Sequence, residues 1–180
     1  MVSSTGVVAD ATRIAEETLF PAALATDRSQ LVGVELLDQL AAAGFYGLVG
    51  PAGAGGLEAD LEPLCLGTRR AGVAFAGLRR PGPPILVARR APGGWVLDGT
   101  APWVTGWGRI DVIHVAARDG DQVVWALVDA AEGPSLGIEV LPLAAVAASG
   151  TVTVRFRGHA VPDERVTLEE LPLPSGSRGQ

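Results

Sequence analysis

A tryptophan and a threonine two positions apart, Trp103 and Thr105, are the side chains of this sequence best suited to hold a flat ligand. Residues 101–104 form a candidate strand, and side chains two positions apart on a strand lie on the same face. An indole can pack against a heteroaromatic ring while a neighbouring hydroxyl hydrogen-bonds a ring heteroatom. The alternative interpretation is structural, with Trp103 as a core residue and Thr105 as an ordinary β-forming residue.

Other side chains that often carry chemistry have structural interpretations here. His114 lies in a run of β-branched residues, which favours a histidine on a sheet, and His159 lies in the predicted loop before Val161. Cys65, the one cysteine of the chain, has no nearby histidine to activate it. A single cysteine also excludes an internal disulfide and a multi-cysteine metal site. We therefore predict no catalytic residue and no metal ligand.

The composition narrows the classes of function. The chain has 180 residues, 48% of them hydrophobic, and a net charge of -6. All 14 basic residues are arginine, so a Schiff-base lysine and a P-loop lysine are excluded. A negative chain without a basic run does not favour nucleic-acid binding. Because we find neither a spanning apolar segment nor a signal peptide, we expect no membrane partner and a cytoplasmic location.

Periodicity predicts helices in the first part of the chain. Residues 7–44 have apolar side chains at three- and four-residue spacing, which is typical of two amphipathic helices. Pro21 makes the last turn of the first helix uncertain, Asp27 or Ser29 is the expected cap of the second, and Gly44 is its expected stop. The glycine-rich residues 47–60 predict a loop, followed by a short helix that has Pro63 in its first turn and ends near Gly67.

Short apolar runs separated by turn residues begin at residue 71. Expected turns are Pro92-Gly93-Gly94, Asp98-Gly99 and Asp119-Gly120-Asp121. This pattern predicts an antiparallel barrel or sandwich. The candidate strands are residues 72–78, 85–89, 95–98, 101–104, 111–117, 122–128, 137–142 and 151–157.

Four segments, in order, resemble the acyl-CoA dehydrogenase family. Residues 94–105, GWVLDGTAPWVT, are similar to the hairpin and strand of the middle β-domain of that family. Residues 36–56 resemble the end of its second helix. Residues 70–81 resemble the strand that opens its β-domain, and residues 151–162 resemble the strand that closes it.

The resemblance implies a fold and a cofactor. It implies an α+β protein, with a partial N-terminal α-helical domain at residues 1–70, an antiparallel β-barrel middle domain at residues 71–166 and a disordered tail at residues 167–180. It also implies FAD, with Trp103 beside the isoalloxazine and the Thr105 hydroxyl directed at the reactive flavin nitrogen. Phe75 and Leu78 match the strand that passes beside the ring.

The sequence also departs from the family pattern. The family's pyrophosphate-binding Gly and Ser have no match after Leu78. In one interpretation Arg79 or Arg80 contacts phosphate instead, and in the other both arginines are solvated at the end of a strand. Fewer helices precede the β-domain than in the family. The C-terminal four-helix domain, which carries the glutamate base in the family, has no match. We therefore expect the chain to be inactive alone.

Three functional interpretations follow. In the first, the chain is part of an FAD-dependent acyl-CoA dehydrogenase that oxidises an acyl-CoA thioester and is completed by a partner chain. In the second, it is a truncated, non-catalytic paralogue that acts as an interaction or scaffold domain. In the third, it is part of a flavin-dependent monooxygenase of the same fold. Because its helices leave an apolar stripe to be covered, we expect a homo- or hetero-oligomer.

Overall fold

The structure is a computed structural model that describes residues 4–29, 31–47, 58–78 and 82–170. Its order of elements is α+β, with helices ahead of an eight-stranded sheet. No helix in these ranges is long and apolar enough to cross a membrane. The helices are α1 (Ser4–Ile14), α2 (Phe20–Arg28), α3 (Val34–Ala42) and α4 (Glu58–Cys65), with a π-helical segment at Ala15–Leu19 between α1 and α2.

The first predicted helix is longer than expected because the chain stays helical past Pro21. A proline inside an α-helix removes one hydrogen bond, and its ring clashes with the carbonyl four residues earlier. Here that carbonyl belongs to Glu17, which lies in the wider π-helical segment, and Pro21 occupies the first turn of α2. Widened turns of this type often relieve local strain in a helix.

The second predicted helix begins later than expected. Its N-cap is Gly33, so the prediction of Asp27 or Ser29 as the cap is wrong. Ser29 instead ends α2, where its hydroxyl donates to the carbonyl of Thr26 at 2.6 Å. The stop at Gly44 is confirmed, because this glycine has the left-handed φ of 76°.

The strands are β1 (Ala71–Ala74), β2 (Leu86–Ala91), β3 (Gly94–Val104), β4 (Val112–Asp119), β5 (Gln122–Asp129), β6 (Leu136–Val140), β7 (Val152–Pro162) and β8 (Val166–Glu170). They form a mostly antiparallel sheet in the order β6-β7-β3-β2-β4-β5-β8, with β1 paired beside β4. The predicted antiparallel β-domain is confirmed, but the sheet is open where a barrel was predicted, since β6 and β8 end the path without pairing to each other. Two pairings, β1 with β4 and β2 with β4, are parallel.

The predicted turn at Asp98-Gly99 is wrong, because β3 continues through it without a break. The pairing of β3 with β7 shifts register between Leu97 and Gly99. Gly99 has a φ of 127°, and an added Cβ would lie 2.2 Å from the Ile85 carbonyl oxygen. The Asp98 carboxylate accepts the backbone N–H of Gly158 at 2.7 Å. A turn-like dipeptide therefore stays within one long strand, opposite a bulge in β7, instead of separating two short strands.

The structure also differs from the prediction at both ends of the β-domain. The first strand was predicted to reach Leu78, but β1 stops at Ala74 and a turn follows, in which the N–H of Leu78 donates to the Phe75 carbonyl at 3.1 Å. The predicted tail begins with an ordered strand, since β8 pairs with β5 up to Glu170. Residues 171–180 of that tail lie outside the described residues.

The hydrophobic core lies on the inner face of the sheet, whereas the helices contribute little to it. Leu97, Val104, Ile113 and Val154 have no exposed surface. Among the described helical side chains only Ile14 is fully buried, and Phe20 is 73% exposed. The sheet therefore supplies most of the buried apolar area that stabilises this fold.

The close approach of Gly99 to Ile85 gives a test of the fold. Gly99→Ala should lower the free energy of unfolding by more than about 2 kcal/mol, because it adds a steric clash to a backbone conformation that is unfavourable for alanine. Gly120→Ala is the matched control. Gly120 has a φ of 57° but no atom within 4 Å of an added Cβ, so only about 1 kcal/mol should be lost. Urea unfolding measures both variants, and equal losses would contradict the close approach at Gly99.

Candidate functional site

Trp103 is exposed because a second bulge turns it out of the sheet. Ala101 pairs with Val154 and Val104 pairs with Val152, so one extra residue lies on the β3 side. Trp103 has the left-handed φ of 60° and is 57% exposed. This conformation costs a non-glycine residue about 1–2 kcal/mol. The structural interpretation of Trp103 as a core residue is therefore wrong, and strain at an exposed aromatic residue is typical of a functional position.

Thr105 lies just beyond β3 and takes part in a chain of three hydroxyl groups. Its Oγ1 is 3.1 Å from Oγ1 of Thr151, which is 2.8 Å from Oγ of Ser149. Thr105 is exposed, whereas Thr151 is only 5% exposed. Trp103 and Thr105 are thus both exposed, on either side of the fully buried Val104.

Backbone hydrogen bonds hold the segment after Thr105 against the segment before β7. The N–H of Gly106 donates to the Ser149 carbonyl at 2.8 Å, and that of Trp107 donates to the Gly150 carbonyl at 2.9 Å. An added Cβ at Gly150 would lie 2.8 Å from the Trp107 carbonyl oxygen. Glycine is required for this close approach, which keeps the three hydroxyls in register.

The other two residues predicted to contact a flavin, Leu78 and Phe75, lie on the turn after β1 and have different neighbours. Leu78 is partly buried and lines a small cavity with Thr100 and Pro102. Pro102 is the residue before Trp103 in the chain. The ring of Phe75 packs edge-on against Trp125, with ring centres 5.9 Å apart. The structure therefore brings Leu78 near the Trp103 bulge, while Phe75 contacts β5. A flavin contact by either residue stays a prediction, as does one by Trp103 or Thr105.

The remaining candidates are placed as follows. His114 is partly buried on β4, with its ring centre 5.1 Å from that of Trp125. His159 lies on β7, so its predicted loop location is wrong, and its Nδ1 is 2.9 Å from the Ser135 hydroxyl. Cys65 is partly buried at the end of α4. Arg79 and Arg80, the two candidate phosphate ligands, lie outside the described residues.

Sequence reasoning missed Ser149 and Thr151. Two hydroxyl residues on either side of a glycine precede β7, and this spacing is visible in the sequence. Their contact with Thr105 is not visible there, because it joins residues 46 positions apart. The long β3–β7 pairing creates it.

Helices followed by an open, mostly antiparallel sheet define the fold class. It is the fold of the helical and β domains of the acyl-CoA dehydrogenases, which confirms the predicted resemblance at the level of fold. The sequence itself matches no family model and no curated protein.

Three solved structures carry the comparison. Glutaryl-CoA dehydrogenase from Mycobacterium smegmatis in complex with FADH2 has a TM-score of 0.76 and 18% identity, over 94% of this chain and 57% of that one. Acyl-CoA dehydrogenase from Geobacillus kaustophilus has a TM-score of 0.73 and 14% identity, over 94% and 59% of the two chains. Butyryl-CoA dehydrogenase from Megasphaera elsdenii has a TM-score of 0.73 and 17% identity, over 94% and 60%. The chain thus spans less than two thirds of each of these proteins.

The described residues fit the ring of a flavin better than its phosphates. An exposed indole and an exposed hydroxyl lie two positions apart, which suits a flat ring with heteroatoms. By contrast, the described part of the loop after β1 reads Gly82-Pro83-Pro84 and offers no hydroxyl side chain to a phosphate. The arrangement can therefore cover and orient a ring, while phosphate binding needs groups beyond these residues.

The strain at Trp103 leads to a prediction about stability. Trp103→Gly should change the free energy of unfolding by less than about 1 kcal/mol, because relief of the left-handed conformation offsets the lost indole contacts. Trp95→Gly is the control, since Trp95 is 6% exposed and part of the core. This control should lose more than about 3 kcal/mol in the same urea unfolding measurement. A similar loss at Trp103 would show that its indole is a packing residue.

The two histidines give a prediction about pH. Burial lowers the pKa of His114, and it also lowers that of His159, where Asp129 partly opposes the effect. The histidines of the unfolded chain have pKa values of about 6.5. As the pH falls below that value, the unfolded chain therefore binds more protons than the folded chain, which lowers the stability of the fold. The melting temperature should be level above about pH 6.5 and should fall as the pH is lowered to 5.5.

Single and double variants test the origin of this slope. His114→Gln and His159→Gln should each reduce it, and the double variant should show almost none. Asp129 and Asp163 do not interfere, because their arginine partners lower the pKa of each below the usual carboxyl range. An undiminished slope in the double variant would assign the effect to other groups.

Proposed function

We propose that this chain is the flavin-covering part of an FAD-dependent enzyme that oxidises acyl-CoA thioesters. The observation that carries the proposal is Trp103, which is held exposed at a strained bulge two residues before an exposed threonine. The fold supports it, since the glutaryl-CoA dehydrogenase with a TM-score of 0.76 was solved with FADH2.

In this function each side chain has a distinct role. The Trp103 indole packs against the isoalloxazine and shields one side of it from water, and the Thr105 hydroxyl donates a hydrogen bond to the reactive ring nitrogen. Leu78 extends the apolar wall next to the ring. The flavin, when bound, supplies the acceptor for the hydride that leaves the acyl chain.

The base that removes the substrate proton comes from outside these 180 residues in this proposal. A general base must lie within hydrogen-bond reach of the proton that it takes. Two acidic side chains of the β-domain, Asp98 and Glu169, already have other contacts. Asp98 binds the Gly158 N–H and lies 3.1 Å from an Arg89 guanidinium nitrogen, and Glu169 accepts the indole N–H of Trp125 at 2.8 Å. A further polypeptide segment or a partner chain supplies the carboxylate.

A second function, as an interaction domain without catalysis, is favoured by a different observation. The helices leave large apolar side chains exposed, with Phe20 and Leu24 each 73% exposed. An apolar groove of about 390 Å³ lies between α2, α3 and the segment around Val146. Contiguous apolar surface of this kind marks a binding surface. This function needs the helical face and does not need a flavin.

Flavin titration separates the two functions. FAD is added to the purified chain, and quenching of tryptophan fluorescence together with the flavin absorbance gives Kd. Saturable binding of one FAD per chain supports the proposal. Absence of a saturable signal up to millimolar FAD would contradict it and would leave the interaction domain as the better interpretation.

Two substitutions locate the flavin. Trp103→Ala and Thr105→Ala should each raise the Kd for FAD about tenfold, because each loses roughly 1.4 kcal/mol of stacking or hydrogen bonding. Leu168→Ala and Thr167→Ala are matched controls on β8, where both residues are exposed. The controls should bind FAD like the unmodified chain. Equal affinities in all four variants would show that the flavin binds elsewhere.

A further inference from the structure

Thr151 is a buried hydroxyl between two others. It is 5% exposed, and among the described residues it is the one polar residue that is buried as a whole. Burying a hydroxyl is costly unless it is hydrogen-bonded. The Thr105 hydroxyl at 3.1 Å and the Ser149 hydroxyl at 2.8 Å satisfy it. Bulk water has little access to the Thr151 hydroxyl at this buried position.

The backbone around Thr151 is fixed on both sides. Its carbonyl accepts the N–H of Leu141 at 3.1 Å, and the carbonyls of Ser149 and Gly150 accept the N–H groups of Gly106 and Trp107. The side chains of Thr105 and Thr151 therefore face each other across two segments that are held together by their main chains. The hydroxyl contact is part of this arrangement and does not depend on a flexible loop.

We propose that Thr151 is a positioning residue that orients the Thr105 hydroxyl toward the flavin ring; this inference rests on the proposed function. A hydroxyl has one hydrogen to donate. If Thr105 donates to the ring nitrogen, it must accept from Thr151, and Thr151 must then accept from Ser149. The three groups form a one-way chain of donors from Ser149 to the ring.

The series of hydrogen-bonded hydroxyls also determines which group Thr105 offers to a ligand. With its acceptor site facing Thr151, the free O–H of Thr105 points outward and is available to an acceptor atom. Hydrogen bonds in such a chain polarise one another, so the outward donor is stronger than an isolated hydroxyl. The ligand class that fits is a flat heteroaromatic ring with an unprotonated nitrogen at its edge.

Two variants of Thr151 test this inference. Thr151→Val keeps the shape of the side chain and removes the hydroxyl, whereas Thr151→Ser keeps the hydroxyl. We expect Thr151→Val to raise the Kd for FAD about threefold to tenfold, as expected for one net hydrogen bond, and Thr151→Ser to restore most of the affinity. In a Thr105→Val background, Thr151→Val should have no further effect on Kd.

A second readout needs no flavin. In the flavin-free chain, three-bond NMR couplings report the χ1 rotamer of Thr105. One rotamer is expected in the unmodified chain and in Thr151→Ser, and averaged couplings are expected in Thr151→Val. Thermal melts of the same samples check that each variant is folded.

The outcomes separate the two proposals. If the unmodified chain does not bind FAD, the proposed function is wrong, whatever the couplings show. If Thr105→Val weakens FAD binding but Thr151→Val changes neither Kd nor the Thr105 couplings, the function stands and the positioning role is wrong. If Thr151→Val lowers the affinity for FAD equally in the unmodified chain and in the Thr105→Val background, Thr151 does not act through Thr105. That result also overturns the inference.

Discussion

The pairing of β3 with β7 is the interaction on which the rest of the structure depends. Both strands have 11 residues, and they share the fully buried Leu97, Val104 and Val154. Two bulges interrupt the pairing, one in β7 opposite Asp98 and one in β3 just before Val104. Proline suits the second bulge because Pro102 has no N–H to donate to a ladder. The buried residues on both sides of this bulge hold Trp103 in a conformation that it would not adopt by itself.

The helical part is attached to this sheet at few points. The N–H of Val32 donates to the Ala148 carbonyl at 3.0 Å, and the guanidinium of Arg109 donates to the Val32 carbonyl at 2.8 Å. Arg70 reaches Asp38 of α3 at 2.5 Å. Polar contacts at a surface contribute little to stability compared with the buried strands. We therefore expect the described helices to have lower local stability than the sheet.

Local signals in the sequence predicted local features well. Gly44 and Gly67 end helices as expected, and the Asp119-Gly120-Asp121 turn joins β4 to β5. Trp103 and Thr105 could be chosen as candidates because both lie in one short motif, and their contact with a flavin stays a prediction. These features depend on the conformational preferences of a few neighbouring residues.

Features that depend on the structure around a residue were not predictable from the type of that residue. Asp98 and Gly99 have the composition of a turn, but the pairing with β7 and the N–H of Gly158, 60 positions away, keep them within β3. Pro21 has the properties of a helix breaker, but the π-helical segment before it accommodates the ring. The left-handed φ of Trp103 has no local cause, since it follows from one extra residue in the pairing with β7.

The segment from Ala148 to Thr151 touches both parts of the chain. At one end, Ala148 and Ser149 bind the linker between α2 and α3, where Leu31 forms a β-bridge with Ser149. At the other end, Thr151 contacts Thr105. A partner that binds the helices and shifts this linker would change the affinity at Thr105 by some factor. By thermodynamic reciprocity, a ligand at Thr105 would then change the affinity for that partner by the same factor.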